Sequence, residues 1–310
     1  MKSWLAALLV APLLLDPAPG PGERTTQEKE QSGNTVGWVG KHTNINVSGD
    51  VKGGRGDGYR IPRPCWYEPG PTPEEMLRQR SEGRDAANRA RIDEESHQAF
   101  IQQFKDKIGE DGRWWLPGLN EADPNGVACW TDLEQFIFVP TGTTPPSGLT
   151  IEQLAQIARA ALTVPEPTVK LNPDAKSYVN LPTWVWLEGI GQPTRTVTAE
   201  LPGVMSVTLV ATLENIEIDP GTTPERAEVA ESGCGAAGKA YTKGGTFSCG
   251  VRYLRSSIDQ PREQYTMTVT TVWPVEVESE GGVVPFQFAP VQVETTRDVQ
   301  VGEIQSNVRP

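Results

Sequence analysis

From Leu181 onward the chain keeps returning to one pattern, short runs in which every second residue is apolar. "VMSVTLVATLE" alternates Met205, Val207, Leu209, Ala211 and Leu213. "EQYTMTVTTVWPVEVE" alternates Tyr265, Met267 and Val269, then Trp273, Val275 and Val277, with threonines opposite. "LPTWVWL" sets Trp184 and Trp186 on one face and Val185 and Leu187 on the other, and "PFQFAPVQVETTRDVQVGEI" adds two final short strands. Successive residues of a strand point to opposite faces, so a period of two buries one face and wets the other. Turn signals separate the runs, and 31 glycines and 27 prolines fit a loop-rich β protein. The pattern predicts an antiparallel β-sandwich over residues 164–310. With a partly helical N-terminal region, the expected class is α+β, mainly β in the C-terminal half.

The first residues point to export. "MKSWLAALLVAPLLLDPAPGPGE" carries one cation at Lys2, an apolar run from Trp4 to Leu15 and a Pro/Gly-rich exit, the outline of a signal peptide over residues 1–18. The run is shorter than the ~20 apolar residues a spanning helix needs. Uncleaved, it would be a short anchor at the cell surface; cleaved, it leaves a secreted, extracellular product with no membrane span. Four cysteines in such a chain read as two disulfides. They allow three pairings. Cys65 and Cys129 lie in one region and Cys234 and Cys249 in another, so Cys65–Cys129 with Cys234–Cys249 is the parsimonious choice. There is no CxxC, and His42 and His97 lie near none of the cysteines, so no metal site is expected. With 28 Lys and Arg against 40 Asp and Glu, the formal charge is -12, which opposes a nucleic-acid partner and an anionic membrane surface alike.

The N-terminal half divides by composition. Residues 19–60 are polar and glycine-rich and are expected to be largely disordered, apart from a short strand around Ile45 and Val47. This segment holds Arg55-Gly56-Asp57, the sequon Asn46-Val47-Ser48 and the glycine-rich turn Gly53 to Gly58. Residues 61–140 read as a Cys-framed helical and aromatic module. Thr72 is its N-cap, Pro73 takes the first helical position and Glu75 closes a capping box. Gly83 interrupts the helix, and Phe100, Ile101, Phe104 and Ile108 form an apolar stripe at its C-terminal end. Trp114, Trp115 and Trp130 follow near Cys129, either as the packing of a disulfide or as a platform for sugar rings. "TGTTPPSG" marks a linker at 141–149. A helix over 150–163 then starts at the capping box of Thr150 and Gln153, with Leu154, Ile157, Ala158, Ala161 and Leu162 on one face.

"GCGAAGKA", Gly233 to Ala240, has the G-x-x-x-x-G-K core of a nucleotide-binding loop in Gly233, Gly238 and Lys239. Such a loop lies between a buried strand and a helix N-terminus, and ends in a Ser or Thr that reaches Mg²⁺. Here Ala240 stands at that last position. "PERAEVAES" upstream is too polar for a buried strand, and "YTKGGTFSCG" downstream is too rich in glycine to start a helix. The motif is read as a decoy, with Lys239 a solvated turn lysine, and no nucleotide or other cofactor is expected. Neither G-x-S-x-G nor H-E-x-x-H occurs, and 40 carboxylates single out no acid/base pair. No catalytic residue is nominated.

One stretch carries a resemblance. "CGVRYLRSSIDQPREQYTMTVTTVW" resembles the second half of a PKD (polycystic kidney disease repeat) module, with Tyr253 after the cysteine turn and Tyr265-Thr266-Met267-Thr268-Val269 as the following strand. The W-D-F-G-D-G hallmark is echoed only by Asp219 and Gly221, without its Trp and second Asp. Residues 150–300, above all "LPTWVW" and Cys249 to Trp273, are similar to a family of secreted actinobacterial proteins with a variable N-terminal half and one PKD-like C-terminal domain. The resemblance implies fold and export and no activity. The expected function is therefore an exported, non-enzymatic binding or structural protein whose partner is an extracellular protein or a cell-surface glycan. The alternative is a secreted carbohydrate-active hydrolase or carbohydrate-binding protein that uses Trp114, Trp115 and Trp130.

Overall fold

The computed structural model describes residues 43–82, 94–174, 176–279 and 286–304; the leader expected over residues 1–18, His42 and the helix break expected at Gly83 lie outside them. The N-terminal strands are β1 Asn46–Gly49, β2 Cys65–Pro69, β3 Gly112–Leu119 and β4 Ile137–Pro140. Then come β5 Thr168–Asn172, β6 Lys176–Tyr178, β7 Pro182–Glu188, β8 Thr194–Leu201, β9 Met205–Thr212 and β10 Asn215–Asp219. The last are β11 Ala227–Ala230, β12 Gly250–Tyr253, β13 Tyr265–Trp273, β14 Val275–Ser279 and β15 Val291–Gly302. The helices are α1 Pro73–Glu82, α2 Glu94–Lys105, α3 Gly126–Asp132 and α4 Ile151–Ala161. The protein is mostly β. Its strands form four sheets, ordered β1-β8-β9-β14, β10-β13-β15-β6, β11-β12-β7-β5 and β2-β3-β4, and β15 with β6 is a parallel pair.

Two large cores organise these sheets. In the first, α4 lies on β8 and β9. The Thr150 side chain accepts from the Gln153 N–H while the Gln153 side chain accepts from Thr150, so two of the helix's orphan donors are satisfied. Leu154, Ile157, Ala158 and Ala161 then meet Val197, Ala199, Val207, Leu209 and Ala211 of the sheet. In the second, the β11-β12-β7-β5 sheet faces the β10-β13-β15-β6 sheet. Val169, Leu171, Val185 and Leu187 from one side pack with Ile216, Ile218, Met267, Val269, Val299 and Val301 from the other.

Pro274 joins the two. It has no N–H to donate to a ladder, so β13 ends at Trp273 and the chain resumes as β14 in the other sheet. Trp273, Val291 and Val293 accordingly pack in the first core, although β13 and β15 belong to the second pair of sheets.

Several boundaries differ from those expected. The short strand expected around Ile45 and Val47 forms as β1, but it is no isolated piece of a disordered segment: it pairs with β8 from Asn46↔Glu200 to Gly49↔Val197, and Ile45 is 1% exposed in the first core. The segment has too few apolar residues for a core of its own, but enough to complete an existing sheet. The 141–149 stretch is anchored rather than free, with Tyr67 donating to the Ser147 carbonyl and Leu149 donating back to Tyr67, and Leu149 is buried. Residues 164–310 do not form one sandwich, since β8, β9 and β14 leave it for the sheet under α4. The Cys-framed module holds a three-stranded sheet, β2-β3-β4, beside its helices. Every residue of β2 is buried, so no alternation betrays that strand.

If the residue that leads into β1 belongs to the core, Ile45→Ala should cost about 2–5 kcal/mol, the range for a large-to-small change at a buried site. Urea denaturation of the variant would measure it. A loss below about 0.5 kcal/mol, the size of an ordinary surface substitution, would mean the segment is only draped on the surface.

Candidate functional site

The stretch Gly233 to Ser248 folds back over β7. On one side β7 pairs with β12 only from Pro182 to Trp184. Beyond that point its backbone would be open, and the loop fills the gap. Leu187 donates to the Ala237 carbonyl at 2.8 Å, Lys239 donates to the Val185 carbonyl at 3.0 Å, and Gly238 forms an antiparallel bridge with Trp186. A Cβ on Gly238 would lie 2.6 Å from the Trp186 Cα and the Val185 carbonyl, and the residue has φ +75°. Glycine is needed there so that two backbones can touch, not to admit a phosphate. The Gly233 N–H is given to the Ser248 carbonyl and the Cys234 N–H to that of Glu231, so these donors are turned into the fold. A disulfide joins Cys234 to Cys249 and closes the loop. Residues 240–248, which follow Lys239 directly, form no helix.

This loop builds an aromatic patch on the outward face of the sheet. Thr183, Val185 and Leu187 point into the core, so Trp184, Trp186 and Glu188 point out. The Trp184 ring meets Tyr241 edge to face at 5.8 Å and Phe247 at 5.5 Å. Trp184 is covered, whereas Tyr241 is 46% exposed and Trp186 and Phe247 are half-buried. Directly paired residues share a face, which places Asn172 beside Trp184 and Lys170 beside Trp186. Polar groups border the rings. Arg252 stands 5.9 Å over Phe247 and pairs with Glu228 at 3.2 Å, while Glu188 accepts from the Trp186 indole and pairs with Lys170 at 3.6 Å.

The residues nominated by sequence lie elsewhere. Trp114 and Trp115 are buried. Trp114 packs edge to face with Phe104 at 4.9 Å and Phe138 at 5.6 Å, and Trp115 packs with Tyr67 and Val139. Their faces are spent on the core. Trp130 is half-buried and donates to the Pro117 carbonyl, close to the disulfide that joins Cys65 of β2 to Cys129 of α3. Asp57 of the Arg-Gly-Asp triplet is held by Arg159 in a two-pronged pair, with Arg159 also 5.0 Å over the Tyr59 ring. His97 stands on α2. Among the described residues no group of three His, Cys, Asp or Glu is placed to hold a metal ion. Sequence reasoning missed Tyr241 and Phe247, which belong to no periodic run. The available signal was Trp184 and Trp186, two large aromatics on the face of an alternating strand that should be polar.

The carboxyls of Asp259 and Glu68 are displaced in opposite directions. Asp259 accepts two hydrogen bonds from Arg226, which with Gln260 hold its carboxyl down at about 2; the same Arg226 donates to the Tyr265 hydroxyl and the Ser256 carbonyl. These contacts fix the turn that leads into β13. Glu68 is 2% exposed in β2, and burial pushes its carboxyl up against the opposing pull of Thr43, Asn44 and the Trp66 indole, which all donate to it.

Comparison with family models, with curated proteins and with solved structures finds no match.

Two predictions follow from these contacts. Cys234→Ser should lower stability by about 3 kcal/mol, the chain-entropy value for a loop of this length. Lys239→Ala should leave the melting temperature unchanged, and Mg-ATP or Mg-GTP should raise it in neither wild type nor variants. A nucleotide-dependent rise of several degrees that Lys239→Ala cancels would restore the phosphate-loop reading.

The second concerns Glu68. Its pKa lies above the ordinary 4.5 in the folded chain alone, so the fold binds that proton more tightly than the unfolded chain. The resulting stabilisation is complete below about pH 4.5 and fades as pH rises through the folded value. Urea titrations at stepped pH should show this fall, and Glu68→Gln should flatten it. An unchanged pH slope in Glu68→Gln would assign the effect to other groups.

Proposed function

We propose that the protein is an exported, non-catalytic binding protein whose two facing C-terminal sheets, β11-β12-β7-β5 and β10-β13-β15-β6, make a PKD-like sandwich, and that it holds a cell-surface glycan on the outward face of β5, β7 and β12. The observation that carries this reading is the half-exposed Tyr241, clustered with Trp184, Trp186 and Phe247 on a loop tied down at both ends. Sugar rings offer apolar C–H faces with hydroxyls at their edges. An aromatic surface bordered by Asn172, Lys170, Glu188 and Arg252 offers both kinds of contact. Because the loop is held by backbone bonds to β7 and by the Cys234–Cys249 bond, little ordering entropy is lost when a ligand arrives.

Other features support the parts of this reading. The "CGVRY" and "YTMTV" stretches that resemble a PKD module take the positions of β12 and β13 in two sheets facing across one core. Two disulfides suit an oxidising compartment. Binding is preferred to hydrolysis because the carboxylates on this face are already engaged, Glu188 by Lys170 and Glu228 by Arg252. The buried Glu68, whose raised pKa would suit a general acid, is closed in by three donors.

Co-sedimentation with a panel of insoluble polysaccharides tests the proposal. Trp186→Ala and Tyr241→Ala should each weaken retention about tenfold, or 1.4 kcal/mol, while the melting temperature stays near that of wild type. Equal retention of both variants, or no retention of wild type on any member of the panel, would overturn it.

A further inference from the structure

We infer that the glycan held on this face is acidic, carrying carboxylate or sulfate groups, and that Lys239 and Lys243 receive them. The inference rests on the glycan-binding reading above. It starts from an imbalance of charge. The chain as a whole is at -12, with 40 carboxylates against 28 cations, and a field of that sign repels anions unless local cations reverse it. Around the aromatic patch two cations stand without carboxylate partners among the described residues. Lys170 and Arg252 are matched by Glu188 and Glu228. Lys239 and Lys243 are not, and both are exposed. The Lys239 ammonium bonds the Ser248 hydroxyl at 3.1 Å, and neither lysine forms an ion pair among the described residues.

Their position makes the surplus specific. Lys239 and Lys243 stand two residues to either side of Tyr241 in a loop anchored at Gly238 by β7 and at Cys249 by the disulfide. A lone lysine on a loop is usually just solvated. Here two lysines without carboxylate partners flank the most exposed ring of an aromatic cluster, in a protein where carboxylates outnumber cations. A lysine ammonium is a compact point charge with three donors on a flexible stem. With a sugar ring stacked on Tyr241, it can meet a carboxylate or sulfate at the ring's edge without demanding the planar geometry that an arginine fork imposes.

The experiment compares binding to dextran, xylan and cellulose with binding to the carboxymethyl and sulfate derivatives of each, at stepped salt. Wild type should bind the anionic derivatives at least tenfold more tightly than the parent polymers. That preference should fall as the Debye length shrinks from about 10 Å at 0.1 M to about 3 Å at 1 M salt. The double variant Lys239→Gln/Lys243→Gln should lose the preference and the salt dependence while keeping its melting temperature. The carboxymethyl and sulfate arms then show which anion is taken. Equal binding to neutral and anionic polymers, or an undiminished preference in the double variant, overturns the acidic ligand and leaves the glycan reading standing. Binding to none of the polymers, or binding that Tyr241→Ala does not weaken, overturns the glycan reading itself. Salt-sensitive capture of an acidic peptide without any polysaccharide binding would move the site to a protein partner and also count against the inference.

Discussion

The pairing of β13 with β15 is the constraint on which both cores depend. It runs unbroken from Tyr265↔Val299 to Trp273↔Val291. Its first half presents Tyr265, Met267, Val269 and Val299 to the core between the facing sheets, and its second half delivers Trp273, Val291 and Val293 to the core beneath α4. A slip of one residue would turn every one of these side chains to the wrong face, so a single register sets two cores at once. Pro274 then makes the division, ending one ladder and starting another. The candidate face inherits this rigidity through Val185 and Leu187, which lock β7 onto the shared core while Trp184 and Trp186 remain outside.

The same need for close backbone approach explains how a phosphate-loop spelling arises with no phosphate to bind. Gly238 must lie against β7, and at Gly250 a Cβ would fall 2.0 Å from the Thr183 carbonyl. A Cβ at Gly233 would come 2.4 Å from Ser248. Three glycines are set by three backbone or side-chain collisions, and two of them fall five residues apart beside a lysine. In a true phosphate loop the N–H groups face a cavity; here those of Gly233, Cys234 and Lys239 are bonded to carbonyls of the fold. The spelling reports glycine's missing side chain, a requirement shared by unrelated backbones.

Much of the β fold was legible because its strands have one wet face. β9 and β13 alternate visibly, with Met205, Val207, Leu209 and Ala211 in one and Tyr265, Met267 and Val269 in the other. Both capping boxes, at Thr72 with Glu75 and at Thr150 with Gln153, carry their reason in four residues. A strand buried on both sides was not legible, since β2 has no polar face to betray it. The alternation of Ile45 and Val47 did signal β1, but not its partner β8, about 150 residues away in sequence. The candidate site was half visible. Trp184 and Trp186 stand out on their strand, but Tyr241, Phe247 and the two flanking lysines lie in aperiodic chain. Only the tertiary path of the loop brings the two rings to Trp184.

The N-terminal segment shows how polar contacts can select an arrangement that apolar ones leave open. Ile45, Val51 and Ile61 add apolar area to the first core but do not say where along α4 the chain must cross. Arg159 does. It is 2% exposed on the helix, holds both oxygens of Asp57 and stacks over Tyr59. A buried ion pair adds little net stability, because desolvation offsets most of the attraction, yet leaving one partner alone is costly. The arrangement that pairs them is therefore favoured over every other crossing by the cost of stranding a charge. Glu68 acts in the same way a few residues on, since its closed site is complete only when Thr43 and Asn44 lie across β2. Together the two contacts fix both ends of the stretch that supplies β1. A segment whose composition reads as unstructured thus becomes an ordered edge of the sheet: its few apolar residues join the core, and two buried polar contacts fix where they do so.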